Sequence, residues 1–236
     1  MHTGVRLYMF AGSNAVRTAE LMLAHKAIAY EEVVLRRGAH MFVLRAHGFR
    51  GVTVPALKID ARRVQRTRAI SRALDALEPE PPLFPKDPVA RAAVEDAERW
   101  GEELQDALRR LFYCAVRRSR PDLSGRLAAT RHRATDAAGR RDAAALPERL
   151  DQIDAWIAAG LLDGRELNAA DFQIAPNVAG LLSFAEFAPF IEGRPAAAHA
   201  RRVAGEHPRR REDPILPDEW LEPLRSAASS SSVMAR

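Results

Sequence analysis

The stretch FAGSNAVRT (residues 10–18) places a small hydroxyl residue, Ser13, four residues before Arg17, where an apolar run turns into a helical pattern. A helix N-terminus offers unpaired N–H groups and the positive end of the helix dipole. An anion is stabilised there, and a thiol, whose free pKa is about 8.5, ionises more easily. Ser13 can donate a hydrogen bond to such an anion. GSN is also a good helix cap, so Ser13 and Asn14 keep two readings. A second constellation lies in GVTVPALKIDARRVQRTRAI (51–70). The Val54–Pro55 bond can be cis at small cost, which turns the N–H and C=O of Val54 toward open space. Thr67 opens the next helix, where its hydroxyl and a free N–H suit a carboxylate, and Gln65 and Arg66 stand just before it. Tyr8 is a rival hydroxyl donor, but its strand pattern predicts burial.

Composition narrows the classes. The 236 residues are 47% hydrophobic and 28% charged, which suits a folded chain of one large domain or two small ones. The formal charge is +5, carried almost wholly by Arg, with Lys only at 26, 58 and 86. The basic residues are scattered through helical segments among acids and lack interleaved aromatics, which argues against a nucleic-acid binder. HPRRRED (207–213), flanked by a proline and acids, reads as a solvated loop. A single cysteine, Cys114, excludes an internal disulfide and sits on an apolar helical face, as a buried thiol does. The seven His show no metal-ligand spacing, so no metal is expected. Neither a signal peptide nor an apolar run long enough to span a membrane is evident, and the expected location is cytoplasmic.

The elements that must position these residues follow from periodicity. Strands are expected at 5–10, 30–35, 56–59 and 62–65, the last two joined by a tight turn at Asp60-Ala61. Helices are expected at 15–27, 39–49 and 67–77. The order β-α-β-α-β-β-α implies one parallel and one antiparallel pairing in a small mixed sheet. EPEPPLFPKDP (78–88) holds five prolines in eleven residues and reads as a linker. The remainder is helical: 88–119, 125–160 with a break at Pro147, 168–185 and 195–206. The expected domains are 1–78 and 88–224, joined by a linker at 79–87, with a disordered low-complexity tail at 225–236.

This organisation resembles the cytosolic glutathione transferases over roughly residues 5–222. TVPAL is similar to the family's cis-proline loop, and QRTRAI stands where the family reads E-S-x-A-I. LFP (83–85) matches the end of the first domain. LNAADFQIAP (167–176) is similar to the buried segment in which Asn168 and Asp171 would form a reciprocal helix cap. The resemblance implies a thioredoxin-like βαβαββα domain followed by an all-helical domain, and a homodimer. It implies a transferase that conjugates glutathione, or another low-molecular-weight thiol, to an apolar electrophile. Ser13 would stabilise the thiolate. Val54, Pro55, Gln65, Arg66, Thr67, Arg17 and Asn14 would bind the thiol, and Phe112 and Tyr113 are candidates to line the electrophile's pocket, with core packing as their alternative.

One position departs from the family. Its acidic residue, which holds the ammonium of the γ-glutamyl group, is here Arg66, and Thr67 replaces the serine. An inward-pointing Arg66 would repel that ammonium at a cost above about 1 kcal/mol, whereas Gln65 offers a neutral contact. A different thiol, an anionic ligand, or a non-catalytic binding or assembly protein of the same fold are the alternatives.

Overall fold

The computed structural model describes residues 4–36, 38–119, 123–162, 165–207, 212, 214 and 216–234. Strands β1 (Val5–Met9), β2 (Glu31–Val34), β3 (Ala56–Ile59) and β4 (Arg62–Gln65) form one sheet in the order β2-β1-β3-β4. Helix α1 (Asn14–His25) is the crossover that makes β1 and β2 parallel. β3 is antiparallel to both β1 and β4. With α2 (His40–Ala46) and α3 (Thr67–Leu77), the order is the βαβαββα expected from periodicity. Along β1, Val5, Leu7 and Met9 enter a large core that also takes Val16, Met22, Ile70 and Leu74 from α1 and α3. Tyr8 points the other way, into a small cluster with Leu35, Leu44, Phe49 and Ala56 under α2.

Residues 78–87 form neither helix nor strand. Their path is fixed from the first domain: the buried Lys26 ammonium donates to Asp75 Oδ1 (2.8 Å) and to the Glu78 carbonyl (2.7 Å). The other carboxylate duty of Asp75 Oδ1 is to accept the N–H of Leu83. Helices α4 (Pro88–Ser119), α5 (Leu123–Arg131), α6 (Asp136–Ala144), α7 (Leu146–Ala158), α8 (Ala169–Leu182), α9 (Ala188–Ile191), α10 (Pro195–Ala204) and α11 (Asp218–Met234) make the second domain. α8 is buried from Ala169 to Leu181 and packs on α4, α10 and α1, so it is the central rod of the domain and its contact with the sheet domain. Asn168 accepts from the N–H of Asp171, and Asp171 accepts from the N–H of Asn168, the reciprocal cap that the sequence predicts. The second oxygen of Asp171 lies 2.6 Å from Nε2 of the buried His199 on α10.

Three expectations about the helical part are corrected. The span 125–160 breaks at 132–135 as well as near Pro147: Arg133 takes a positive φ of 53° and Thr135 caps a new helix by accepting from the Ala138 N–H. Pro147 falls in the first turn of α7, where its missing N–H has no helical partner to lose. The span expected as helix to 185 ends at Leu182, and the short α9 follows. The tail expected to be disordered at 225–236 is helix through Met234, so α11 runs across the expected boundary at 224; residues 235–236 lie outside the described residues. Trp220, Leu221 and Leu224 are buried and hold the start of α11 to the domain. Of the expected loop 207–213, only His207 and Glu212 are among the described residues.

Candidate functional site

Strand register gathers the predicted residues at one end of the sheet. Tyr8 pairs with Ala56, and Ala56 pairs with Gln65. Three chain segments therefore emerge side by side: the exit of β1 toward Ser13, the entry to β3 at Val54–Pro55, and the exit of β4 at Gln65, Arg66 and Thr67. The Val54–Pro55 peptide is cis, as the sequence suggests; Glu80–Pro81 is also cis. Neither the N–H nor the C=O of Val54 has a hydrogen-bond partner among the described residues.

Ser13 is the N-cap residue of α1, extended at φ −92° and ψ 122°. Its carbonyl accepts the N–H of Arg17 at 2.9 Å. Its half-buried hydroxyl makes no capping bond and has no partner among the described residues. The hydroxyl thus stands at the positive end of α1 with its donor uncommitted. Tyr8, the rival, is fully buried, its ring set 5.1 Å from those of His47 and Phe49, and its hydroxyl has no partner among the described residues.

The neighbours of Ser13 face the helical domain. The Asn14 amide lies on α8 at Gly180, where an added Cβ would fall 2.4 Å from Asn14 Nδ2. Arg17 donates to the Ala204 carbonyl at the C-terminus of α10 (3.2 Å) and reaches Glu20 at 3.7 Å. Both side chains join the two domains close to Ser13 in the chain.

The other segment is built by Gln65. Its amide accepts from the Gly51 N–H (2.8 Å) and donates to the Thr53 carbonyl (3.0 Å), pinning the loop that leads into Val54. Gly51 is required for this, since a Cβ there would come within 2.6 Å of Gln65 Oε1. The Gln65 side chain, expected at the ligand, thus braces the loop beside it. Arg66 has a positive φ of 76°, a conformation that costs a non-glycine residue about 1–3 kcal/mol. It directs its guanidinium along the surface to Glu102 on α4, at 2.9 and 3.2 Å. Thr67 is buried at the first position of α3.

Arg66 begins a charged seam between α3 and α4. Arg68 lies 3.5 Å from Glu98 and 4.0 Å from Glu102, and Arg72 pairs with Glu98 and reaches Glu95 at 3.9 Å. Glu98 is buried and accepts the Ser71 hydroxyl at 2.6 Å. Burial pushes its carboxyl above the ordinary range, against the downward pull of Ser71, Arg72 and Arg68. This seam is absent from the sequence-derived site, although acids at 95, 98 and 102 opposite arginines at 68 and 72 carry helical spacing.

Phe112 and Tyr113 occupy α4 near its end, their rings 5.4 Å apart, with Tyr113 stacked on His132 at 3.9 Å. Cys114 is buried beside the Thr135 carbonyl, and burial raises its pKa, so it is a packing thiol. Among the described residues there is no group of three or more His, Cys, Asp or Glu able to hold a metal ion, and no helix is long and apolar enough to cross a membrane.

The profile of the glutathione S-transferase N-terminal domain matches residues 7–82. No curated protein sequence matches the chain. Among solved structures, a glutathione S-transferase from Rhodospirillum rubrum F11 is 23% identical, with coverage of 93% of this chain and 99% of that one and a TM-score of 0.58. One from Methylobacterium radiotolerans, in complex with glutathione sulfonate, is 20% identical, covering 91% and 100%, with a TM-score of 0.55. Rice GST1, in complex with glutathione, is 18% identical and covers 100% of both chains at a TM-score of 0.62. At these identities the likeness is one of fold. The chain therefore has the glutathione S-transferase fold, a thioredoxin-like domain followed by a helical domain, and its residues 7–82 match the glutathione S-transferase N-terminal domain.

Proposed function

We propose that the chain binds a low-molecular-weight thiol, with glutathione the first candidate, and conjugates it to an electrophile held between the two domains. The bound thiolate forms the C–S bond, and the electrophile's leaving group departs with its electron pair. Ser13 donates to the thiolate and lowers the thiol's pKa together with the N-terminus of α1. Val54 offers its backbone to the thiol, Pro55 and Gln65 shape that loop, and Thr67 with the start of α3 takes a carboxylate. Asn14 and Arg17 hold the domains around the site.

The uncommitted Ser13 hydroxyl carries this reading. A serine that served only as a cap would have spent that group on an N–H of α1. Fold relatives crystallised with glutathione or its sulfonate support the choice of ligand. Calorimetric titration with glutathione and other low-molecular-weight thiols tests it, followed by conjugation of a chloronitrobenzene. Saturable binding with no turnover would favour a second reading, a non-catalytic binding or assembly protein. Arg66, in the place of the family's acid, favours that second reading.

We also propose a homodimer, in which the first domain of one copy meets the helical domain of the other. Light scattering should give twice the chain mass of 26.1 kDa at micromolar concentration; the chain mass alone would refute the dimer.

A further inference from the structure

Helices α1 and α8 pack on each other across the two domains. Asn14 meets Gly180 near one end of the contact. At the other, the ring of His25, the last residue of α1, lies 5.1 Å from the ring of Phe172 on α8. The polar groups at this second end are already committed. Lys26, the C-cap residue of α1, is buried, and its ammonium donates to Asp75 Oδ1 of α3 and to the Glu78 and Pro79 carbonyls. Asp75 Oδ1 also accepts the Leu83 N–H, and the Leu83 carbonyl accepts the N–H of Ala169 in the first turn of α8. A line of hydrogen bonds thus runs from the end of α1 through the linker into the head of α8. Two residues on, Asp171 accepts the Asn168 N–H on one oxygen and holds His199 Nε2 of α10 on the other.

His25 stands beside this line without joining it. The residue is half-buried, so protons reach it, but its Nε2 is buried and has no hydrogen-bond partner among the described residues. The charges that act on it are Lys26, its chain neighbour, and Asp171 across the junction. Both oxygens of Asp171 are engaged. A neutral imidazole can carry its single N–H on Nδ1. A protonated one must also carry an N–H on Nε2, a buried donor without an acceptor, next to a buried ammonium. Burial first, and then Lys26, hold the His25 pKa below the ordinary imidazole value, with Asp171 pulling the other way.

We infer that this junction is an acid-sensitive latch between the two domains, with His25 as its trigger: a proton taken up at His25 releases the end of α1 from the head of α8. The closed junction binds that proton less tightly than the open one. The latch is therefore complete above the ordinary imidazole range and loosens as pH falls through the lowered value. Buried Glu98, between α3 and α4, holds its proton more tightly, so its effect on the fold has the opposite sign. Release at His25 frees α1, which carries Ser13 at its other end, to move against the helical domain.

Amide hydrogen exchange of the full chain, corrected for the intrinsic effect of pH, tests the latch. As pH falls below the ordinary imidazole value of about 6.5, protection of residues 20–26 and 169–174 should fall by up to about tenfold per pH unit, the slope of a single proton. Strand β3 should keep its protection. His25→Gln has no proton to take up at this position and should lose the dependence. Protection that stays constant in the unmodified protein, an equal fall in His25→Gln, or a fall that spreads equally to β3 would overturn the inference. NMR titration of the unmodified protein decides even where the variant does not fold. The His25 ring resonance should titrate below about 6.5, and the Phe172 ring resonances should shift with the same midpoint. Titration of His25 at or above the ordinary value, or Phe172 resonances that stay fixed, would overturn it equally.

Discussion

At the scale of single residues, the proposed chemistry is tested at Ser13 and Arg66. Ser13 leaves its hydroxyl uncommitted at the head of α1. Ser13→Ala should leave glutathione affinity nearly unchanged, because the hydroxyl acts on the sulfur and not on the ends of the tripeptide. It should raise the pKa of the bound thiol and slow conjugation by about tenfold to a hundredfold. Thiolate absorbance of the bound thiol against pH, beside a steady-state rate, reads both; an unaltered rate in an active enzyme would return Ser13 to the role of a spacer. Arg66 pairs with Glu102, and that pairing decides which substitution tests it. Arg66→Glu would set two carboxylates together. Arg66→Gln removes the charge, keeps much of the length and releases Glu102 toward an ammonium group. Glutathione should then bind tighter by up to about tenfold, the equivalent of about 1.4 kcal/mol. Unchanged affinity in calorimetry would mean that Glu102 already cancels Arg66 and that Arg66 does not oppose glutathione. Ser13 could be read from its place at a turn into a helix. The partner of Arg66 could not, since Glu102 lies 36 positions away.

Helices α3 and α4 carry the clearest pH response at the scale of elements. Glu98 is buried between them, and desolvation raises its pKa above that of an unfolded carboxylate. The folded chain then holds the proton more tightly than the unfolded chain. The resulting stabilisation is complete below the unfolded pKa and is lost as pH rises through the folded value. Glu98→Gln retains a partner for the Ser71 hydroxyl and has no proton to lose. The melting temperature of the unmodified protein should therefore fall relative to Glu98→Gln as pH rises from the ordinary carboxylate range through the raised value. A constant difference over that range would show that Arg68 and Arg72 fully offset the burial. In α8 the reciprocal cap was legible because its donors and acceptors lie three residues apart. The third partner, His199 on α10, was not, since it is brought in only when α8 and α10 pack. The break at 132–135 escaped periodicity for a similar reason: apolar spacing on either side continues, and only Arg133 with its positive φ turns the chain.

The two domains meet across Asn14 and Gly180 at the scale of the whole molecule. Gly180→Ala would force the Asn14 side chain off α8 and disturb the residue next to Ser13. Overpacking of this kind costs about 1–3 kcal/mol, and less where the displaced group is a flexible side chain. Conjugation should therefore suffer more than stability. Asn14→Ala combined with Gly180→Ala should recover activity beyond the single Gly180→Ala variant, because the two side chains compete for one space. Independent, additive effects in that double-mutant cycle would show that the contact does not transmit to Ser13.

The sequence alone determined the βαβαββα order of the first domain, the proline-rich connection, the cis proline position, the reciprocal cap and the helix start at Ser13. All of these rest on interactions between residues a few positions apart, or on a periodicity that repeats along one element. Only the tertiary structure decided that Gln65 braces the Val54 loop, that Arg66 turns outward to Glu102, that Asn14 and Arg17 reach the helical domain, and that Arg131 of α5 meets Met41 of α2. A long polar side chain has several rotamers of similar energy, and its choice among them falls to whichever acceptor the fold carries within reach. That acceptor belongs to a different element, so no local pattern names it.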